Sequence, residues 1–229
     1  MAVAVGAPWE IYRVQSSNRV TDYYTKGGSI GVYGSILALI PDYKVGFNIF
    51  TADKSDANID MAATLSDMVA QTFGPALEEA AKMQAVGKYA GSYTADDGSN
   101  SSVVIGMSDT FGLAVESWIS EGNDMFANIE LTQGITSTTL QLLARLMPVN
   151  LQSVDAETNI TSLPFRAVLG FEEPAPTNVF NLNCATWTTV DALNYGGLPL
   201  DLFIFQVNGT GEVTGLSLPA LRVTLGRED

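Results

Sequence analysis

The sequence predicts an α+β fold: a small antiparallel sheet with a helix packed on it, followed by an antiparallel β-barrel or sandwich. Three observations carry this. Within Asp22–Ala52 two runs crowded with Ile, Val, Leu and Phe flank the turn Pro41-Asp42-Tyr43. Between Ile59 and Val86 the apolar spacing changes to three and four residues, the period of a helix. From Gly87 onward short alternating runs recur between Gly, Asn, Asp and Pro, the pattern of many short antiparallel strands. The boundary falls near Gly87, giving domains 1–87 and 88–229.

Gly6–Val14 reads as the first strand, with Trp9, Ile11 and Arg13 alternating with Glu10, Tyr12 and Val14, and Gln15–Val20 as a polar turn. Ser29–Ile40 and Lys44–Thr51 are then the two long strands of a hairpin, too apolar for one wet face, so both faces are expected to be covered. Proline presets φ and aspartate bonds its own backbone, which suits Pro41 and Asp42 to the turn. Ser55 or Asp56 is the expected N-cap of the helix. Its apolar stripe runs through Ile59, Ala62, Ala63, Leu65, Met68, Val69, Thr72 and Phe73, and a break or kink is expected at Gly74-Pro75. That stripe is expected to lie on the hairpin.

The expected barrel strands are Gly91–Ala95, Ser101–Met107, Gly112–Ile119, Met125–Leu131, Gln141–Leu151, Thr161–Phe171, Asn183–Val190, Asp201–Gln206 and Val213–Leu225. Leu140–Met147 has a helical alternative, and Pro174-Ala175-Pro176 reads as a loop. Asn208-Gly209-Thr210-Gly211 is a hairpin turn, and Ser217–Leu225 the last strand, with Pro219 marking an edge or bulge. Trp118, Trp187, Tyr195, Phe203 and Phe205 fall on these runs. They either line an apolar ligand cavity or form the barrel's packed core.

Composition excludes several functions. With 16% charged residues and 46% hydrophobic ones the chain is core-rich and not disordered. A net charge of −14 argues against nucleic acid and anionic membranes as partners. There is no histidine, which removes Ser-His and Cys-His catalysis and histidine metal sites. Cys184 is the one cysteine and reads as a small buried hydrophobe. Asp96, Asp97, Asp109, Glu116, Glu121 and Asp124 form an acidic set, but Asp96-Asp97-Gly98-Ser99-Asn100 lacks the spacing of a calcium loop and reads as a solvated turn. No cofactor or metal is expected. No span long enough to cross a membrane is present, and MAVAVGAPWE is too short for a signal peptide. A cytoplasmic location is therefore expected, or a secreted one if a signal peptide has been removed; in the cytoplasm the sequons at Asn100, Asn159 and Asn208 stay unused.

Lys26-Gly27-Gly28, followed by GVYGSILALIPDYKVGFNIFTA and preceded by Val5-Gly6-Ala7-Pro8-Trp9-Glu10-Ile11-Tyr12-Arg13, resembles the C-terminal hairpin of β-lactamase-like serine hydrolases. The group includes class C β-lactamases and penicillin-binding proteins. The resemblance is nearest to a fungal subgroup with an appended C-terminal β-domain, and runs from Gly6 to the C-terminus. Tyr89-Ala90-Gly91-Ser92-Tyr93 is similar to the opening of the lipocalin-like barrels that bacterial members carry. The resemblance implies that the Gly6–Val14 strand pairs with the Lys26 strand, that the latter edges the active site, and that Lys26 holds a substrate carboxylate. The family's nucleophile is the serine of Ser-x-x-Lys, which occurs nowhere in this sequence, and Gly27 stands where the third motif carries Thr or Ser.

These readings converge on a small-molecule-binding protein without serine hydrolase chemistry. The leading form is a cofactor-independent cyclase or isomerase that orients an apolar substrate in fungal natural-product biosynthesis. The alternatives are a non-catalytic binding or accessory barrel and the C-terminal part of a serine hydrolase. The candidate ligand-contacting residues are Tyr24, Lys26, Tyr33, Glu116 and Trp118. The expected partners are a hydrophobic small molecule and a second copy, since the hairpin face must be covered.

Overall fold

A computed structural model describes residues 4–15, 19–52, 60–108, 112–134, 142–171 and 190–228. The chain divides into two units, Met1–Gln84 and Ala85–Asp229.

In the first unit the strands β1 (Ala4–Gly6), β2 (Trp9–Gln15), β3 (Val20–Ile30), β4 (Tyr33–Ile40) and β5 (Val45–Ala52) lie side by side in chain order, each antiparallel to the next. Asp22–Ala52 therefore holds three strands and not the two expected. The expected strand Ser29–Ile40 is broken after Ile30 by the two-residue turn Gly31-Val32, whose Gly31 has φ +56. Glycine adopts that left-handed conformation without strain. The Pro41–Tyr43 turn forms as expected, a 3-10 turn closed by Lys44 N–H donating to the Pro41 carbonyl.

Helix α1 (Met61–Tyr89) covers one face of this sheet. Thr21, Tyr23, Thr25, Ala38 and Ile40 are buried there, and a Cβ at Gly34 would stand 3.5 Å from Ala62. Asp60 caps the helix, accepting from Ala63 N–H at 3.0 Å; the expected caps Ser55 and Asp56 lie outside the described residues. Pro75 sits inside one continuous helix instead of ending it. Only part of the expected stripe is covered: Ala62 is buried and Ala63 and Val69 are half-buried, while Leu65, Met68, Thr72 and Phe73 are exposed; Ser66, outside that stripe, is buried.

Among the described residues the second face of the sheet is open, against the expectation that both are covered. Strand parity and the β3–β4 register put Tyr24, Lys26, Gly28 and Ile30 on it with Leu39, Leu37, Ser35 and Tyr33 opposite. Ile30 and Phe50 are each 80% exposed.

The second unit is a barrel. Strands β6 (Gly91–Thr94), β7 (Ser102–Met107), β8 (Leu113–Ser120), β10 (Leu142–Pro148), β12 (Thr161–Phe171), β15 (Leu202–Val207), β16 (Val213–Leu218) and β17 (Val223–Arg227) pair antiparallel with their neighbours. Pairing of β17 with β6 closes the ring at eight strands. Short pairs β9 (Asn123–Asp124), β11 (Ser153–Val154), β13 (Asn194–Tyr195) and β14 (Leu198–Pro199) sit in its connections. Leu142–Pro148 is a strand, not the alternative helix. Met125–Leu131, expected as a strand, is helix α2 (Met125–Thr132). Val213–Leu225 is two strands joined by a second 3-10 turn, Pro219–Leu221, with Arg222 N–H donating to the Pro219 carbonyl. The runs at Asn183–Val190 and Pro174–Pro176, with Cys184 and Trp187, lie almost wholly outside the described residues.

The barrel is filled by its own side chains. Tyr93, Val103, Trp118, Phe203, Phe205, Leu216 and Leu225 have essentially no solvent exposure. Tyr89 stacks against Phe165 and Phe205 at 5.3 and 4.9 Å, and Trp118 meets Phe203 at 5.0 Å and Phe126 of α2 at 6.3 Å. Such edge-on ring pairs add about 0.5–1.5 kcal/mol each beyond the area they bury. The choice left open by the sequence resolves here: Trp118, Phe203 and Phe205 are core. Outside the ring, Arg166 pairs with Asp191 and with Asp201, the latter at 3.1 Å. Asp201 is buried, and burial raises its pKa against the pull of Arg166. Among the described residues no helix is long and apolar enough to cross a membrane.

Candidate functional site

Lys26 lies within β3, flanked by β2 and β4, so its strand is interior to the described sheet and not at its edge. The expected pairing of the Trp9 strand with the Lys26 strand is present, with Glu10 opposite Thr25. That register sets Glu10 beside the residue that precedes Lys26, and the two long side chains meet. Lys26 Nζ donates to Glu10 Oε1 at 2.6 Å and to the Gly27 carbonyl at 3.2 Å. The hydrogen bond from Lys26 holds the Glu10 carboxyl below its usual range, its positive charge and the Gly27 N–H adding to this against desolvation. An ammonium has three donors, so Lys26 keeps one for a further acceptor. Glu10 is a residue the sequence reading missed; its signal was its place in the strand expected beside Lys26.

Around this pair the face is mixed. Tyr24 and Leu37 flank Lys26 on the open side of the sheet, and Arg13 grips Asp22 through two hydrogen bonds at 2.9 and 3.1 Å. Gly27 offers no hydroxyl. Two nearby hydroxyls are committed to backbone: Thr25 donates to the Glu10 carbonyl at 2.9 Å and Ser35 to the Gly28 carbonyl at 3.2 Å. The site can therefore bind an anionic group but holds no activated nucleophile among the described residues.

Of the five candidate residues, Tyr24, Lys26 and Tyr33 share the open face of the first unit. Glu116 and Trp118 belong to the second, and do not share a surface with each other. Trp118 is 1% exposed in the barrel core, and its indole N–H meets no acceptor among the described residues. Glu116 is exposed, and it is the extra residue of a β-bulge: Val104 pairs with Ser117 and Ile105 with Val115, leaving Glu116 unpaired. Its carboxylate folds over Gly106, where a Cβ would collide with it. The Asp96–Asn100 segment is a turn, as read, with Asp97 accepting from Ser99 N–H at 2.9 Å.

Comparison with known proteins fits this division. The chain is 29% identical to the beta-lactamase-like protein of Arthroderma benhamiae over 245 aligned positions, 95% of this chain and 40% of that protein. It is 23% identical to two proteins named probable hydrolase, from a Phoma species and from Cochliobolus lunatus, over 96% of its length and 38% and 37% of theirs. The chain thus spans about two-fifths of the length of the curated relatives it matches. No solved structure matches it. Residues 81–229, well over half of the chain and the whole barrel, match the profile described as beta-lactamase-like-like, C-terminal domain, and the chain belongs to that family.

Proposed function

We propose that this chain supplies one wall and the accessory barrel of a fungal β-lactamase-like hydrolase, with Lys26 lining the site and a separate polypeptide portion bringing the nucleophile. The observation that carries this is the open apolar face of the first unit. Ile30, Tyr33, Leu37 and Phe50 are exposed on the same face as Lys26. Apolar area of this kind marks a surface that another element covers. The names of the relatives, two of them probable hydrolases more than twice as long, support the same reading. A cofactor-independent cyclase or isomerase would need an enclosed apolar cavity, and the described barrel is packed solid, which weighs against that form. The barrel is then a rigid module, and Lys26 is the group poised for a substrate carboxylate.

The test is a chimera in which this chain replaces the corresponding part of the Arthroderma benhamiae protein, assayed with p-nitrophenyl butyrate and nitrocefin. The chimera should hydrolyse whichever substrate the parent does, and Lys26→Ala should lower kcat/KM by about a hundredfold without altering the melting temperature. A folded chimera that is inert where the parent is active overturns the proposal, as does an unaffected Lys26→Ala variant. A dimer of the isolated chain that Tyr33→Asp and Phe50→Asp dissociate would make a second copy the occupant of this face instead.

A further inference from the structure

We infer that the α2 end of the barrel carries a binding cleft for a neutral, hydroxyl-rich ligand of the oligosaccharide class. The cleft has a volume of about 330 Å³ and lies between α2, the β8–β9 turn and the β13–β14 hairpin. That is the lower end of the range for small-ligand sites. Its floor is apolar, formed by Met125, Ile129, Leu200 and Leu221. Its walls carry hydrogen-bonding groups, most of them acceptors, that no described residue uses.

Asn123 spends its Nδ2 on the Ser120 and Glu121 carbonyls, at 3.4 and 3.0 Å, and Asn194 spends its own on the Asp191 carbonyl at 3.0 Å. Both amides are thereby fixed, and each keeps an Oδ1 acceptor that no described residue uses. The Asn128 side-chain amide lends neither donor nor acceptor to any described residue, and Glu121 adds a carboxylate. Tyr195 presents a ring that is 63% exposed. Fixed acceptors call for hydroxyl donors, and an electron-rich ring face attracts the polarised C–H groups of a pyranose. An anion would meet Glu121 and no Lys or Arg among the described lining residues. A wholly apolar ligand would bury the amides without partners, at about 1–3 kcal/mol each.

The cleft wall is held in place by a tight turn and a cluster of charged groups at its stem. Gly196 and Gly197, at φ +60 and +81, make the tight turn of the β13–β14 hairpin. Asp191 and Asp201 stand at the two ends of that segment and both pair with Arg166 on β12, and Asp191 N–H donates to Asp201 Oδ2 at 3.1 Å. Asp201 is buried and Asp191 exposed, and neither kind of pair gains much stability. What the two pairs do is clamp the stem of the hairpin that presents Asn194 and Tyr195, as a preformed site needs.

The experiment is calorimetric titration of the full chain with chitohexaose, laminarihexaose and mannohexaose. One of the three should bind with a Kd below about 1 mM. Tyr195→Ala and Asn128→Ala should each weaken it by about tenfold or more, with Tyr195→Phe near wild type and Asn208→Ala, at the opposite end, unchanged. Circular dichroism melts verify that the variants fold. No binding by any of the three, binding that survives Tyr195→Ala, or preference for a hexose phosphate, tetramethylammonium or a neutral peptide overturns the inference. Hydrolysis plays no part in this readout, so it stands or falls apart from the proposed function.

Discussion

Tyr93 holds its proton inside a packed barrel, and this makes the barrel sensitive to alkali. Its hydroxyl donates to the Tyr89 carbonyl at 2.6 Å, and burial pushes its pKa up to about 12 from an ordinary 10. Between these values the unfolded chain has lost the proton while the folded chain keeps it. The tyrosine's contribution is therefore intact below pH 10 and declines as pH rises toward 12, by at most about 2–3 kcal/mol. Tyr93→Phe should lose about 1 kcal/mol at pH 8 and show less additional loss at pH 11 than wild type in urea unfolding. Equal alkaline losses in both would disprove this. Arg166 and Asp201 make the second residue-scale case. Asp201→Ala leaves Arg166 short of a buried partner and should cost about 3–5 kcal/mol, whereas an Asp22→Ala change at the exposed Arg13 pair should cost under about 1 kcal/mol. In the sequence Asp201 only opened an expected strand, and nothing singled out Asp191. Only the pairing of Arg166 with Leu202 in the β12–β15 register reveals what Asp201 does.

At the scale of elements, the two helices show where periodicity informs and where it misleads. MFANIEL alternates well enough to read as a strand, and short apolar runs are ambiguous between the two periods. Asp124 decides the matter, accepting from Phe126 and Ala127 N–H as an N-cap, while Met125 and Ile129, four apart, turn into the barrel mouth. Asp124→Ala should cost about 1 kcal/mol, read by the urea midpoint. In α1 the sequence read a break or a kink at Gly74-Pro75, and the helix is one element through it. Proline leaves the Gln71 carbonyl without its helical donor, so Pro75→Ala should stabilise by about 1–3 kcal/mol. A lower melting temperature for that variant would show that the chain needs the irregularity. The two Pro-led turns, Pro41–Tyr43 and Pro219–Leu221, share one geometry: each ends in a left-handed basic residue, Lys44 at φ +55 and Arg222 at φ +56. The first was legible because a strand-length run followed it. The second was hidden inside a run read as continuous strand.

At the scale of the molecule, the two units differ in how they deal with edges and faces. The barrel has no free edge in its ring and turns its apolar residues inward, whereas the first unit keeps β5 as an edge and one sheet face open. Residues 81–229 expressed alone should therefore give a cooperative melt and dispersed amide spectra. Residues 1–84 alone should associate, with Tyr33→Asp and Phe50→Asp relieving it. A molten 81–229 fragment would mean that the ring does not carry its own stability.

The sequence by itself determined the α+β class, the order of the elements, the helix after the sheet, most of the barrel strands and the family, because these rest on local periodicity, turn chemistry and motif. It also placed Lys26 beside the Trp9 strand. Only the tertiary structure decided that Trp118, Phe203 and Phe205 are core, that one sheet face is open, and that Tyr24, Lys26 and Tyr33 share that face. The physical reason is that burial and partnership depend on register and ring closure. These bring together residues such as Lys26 with Glu10 and Arg166 with Asp201, whose side chains carry no mark of each other along the chain.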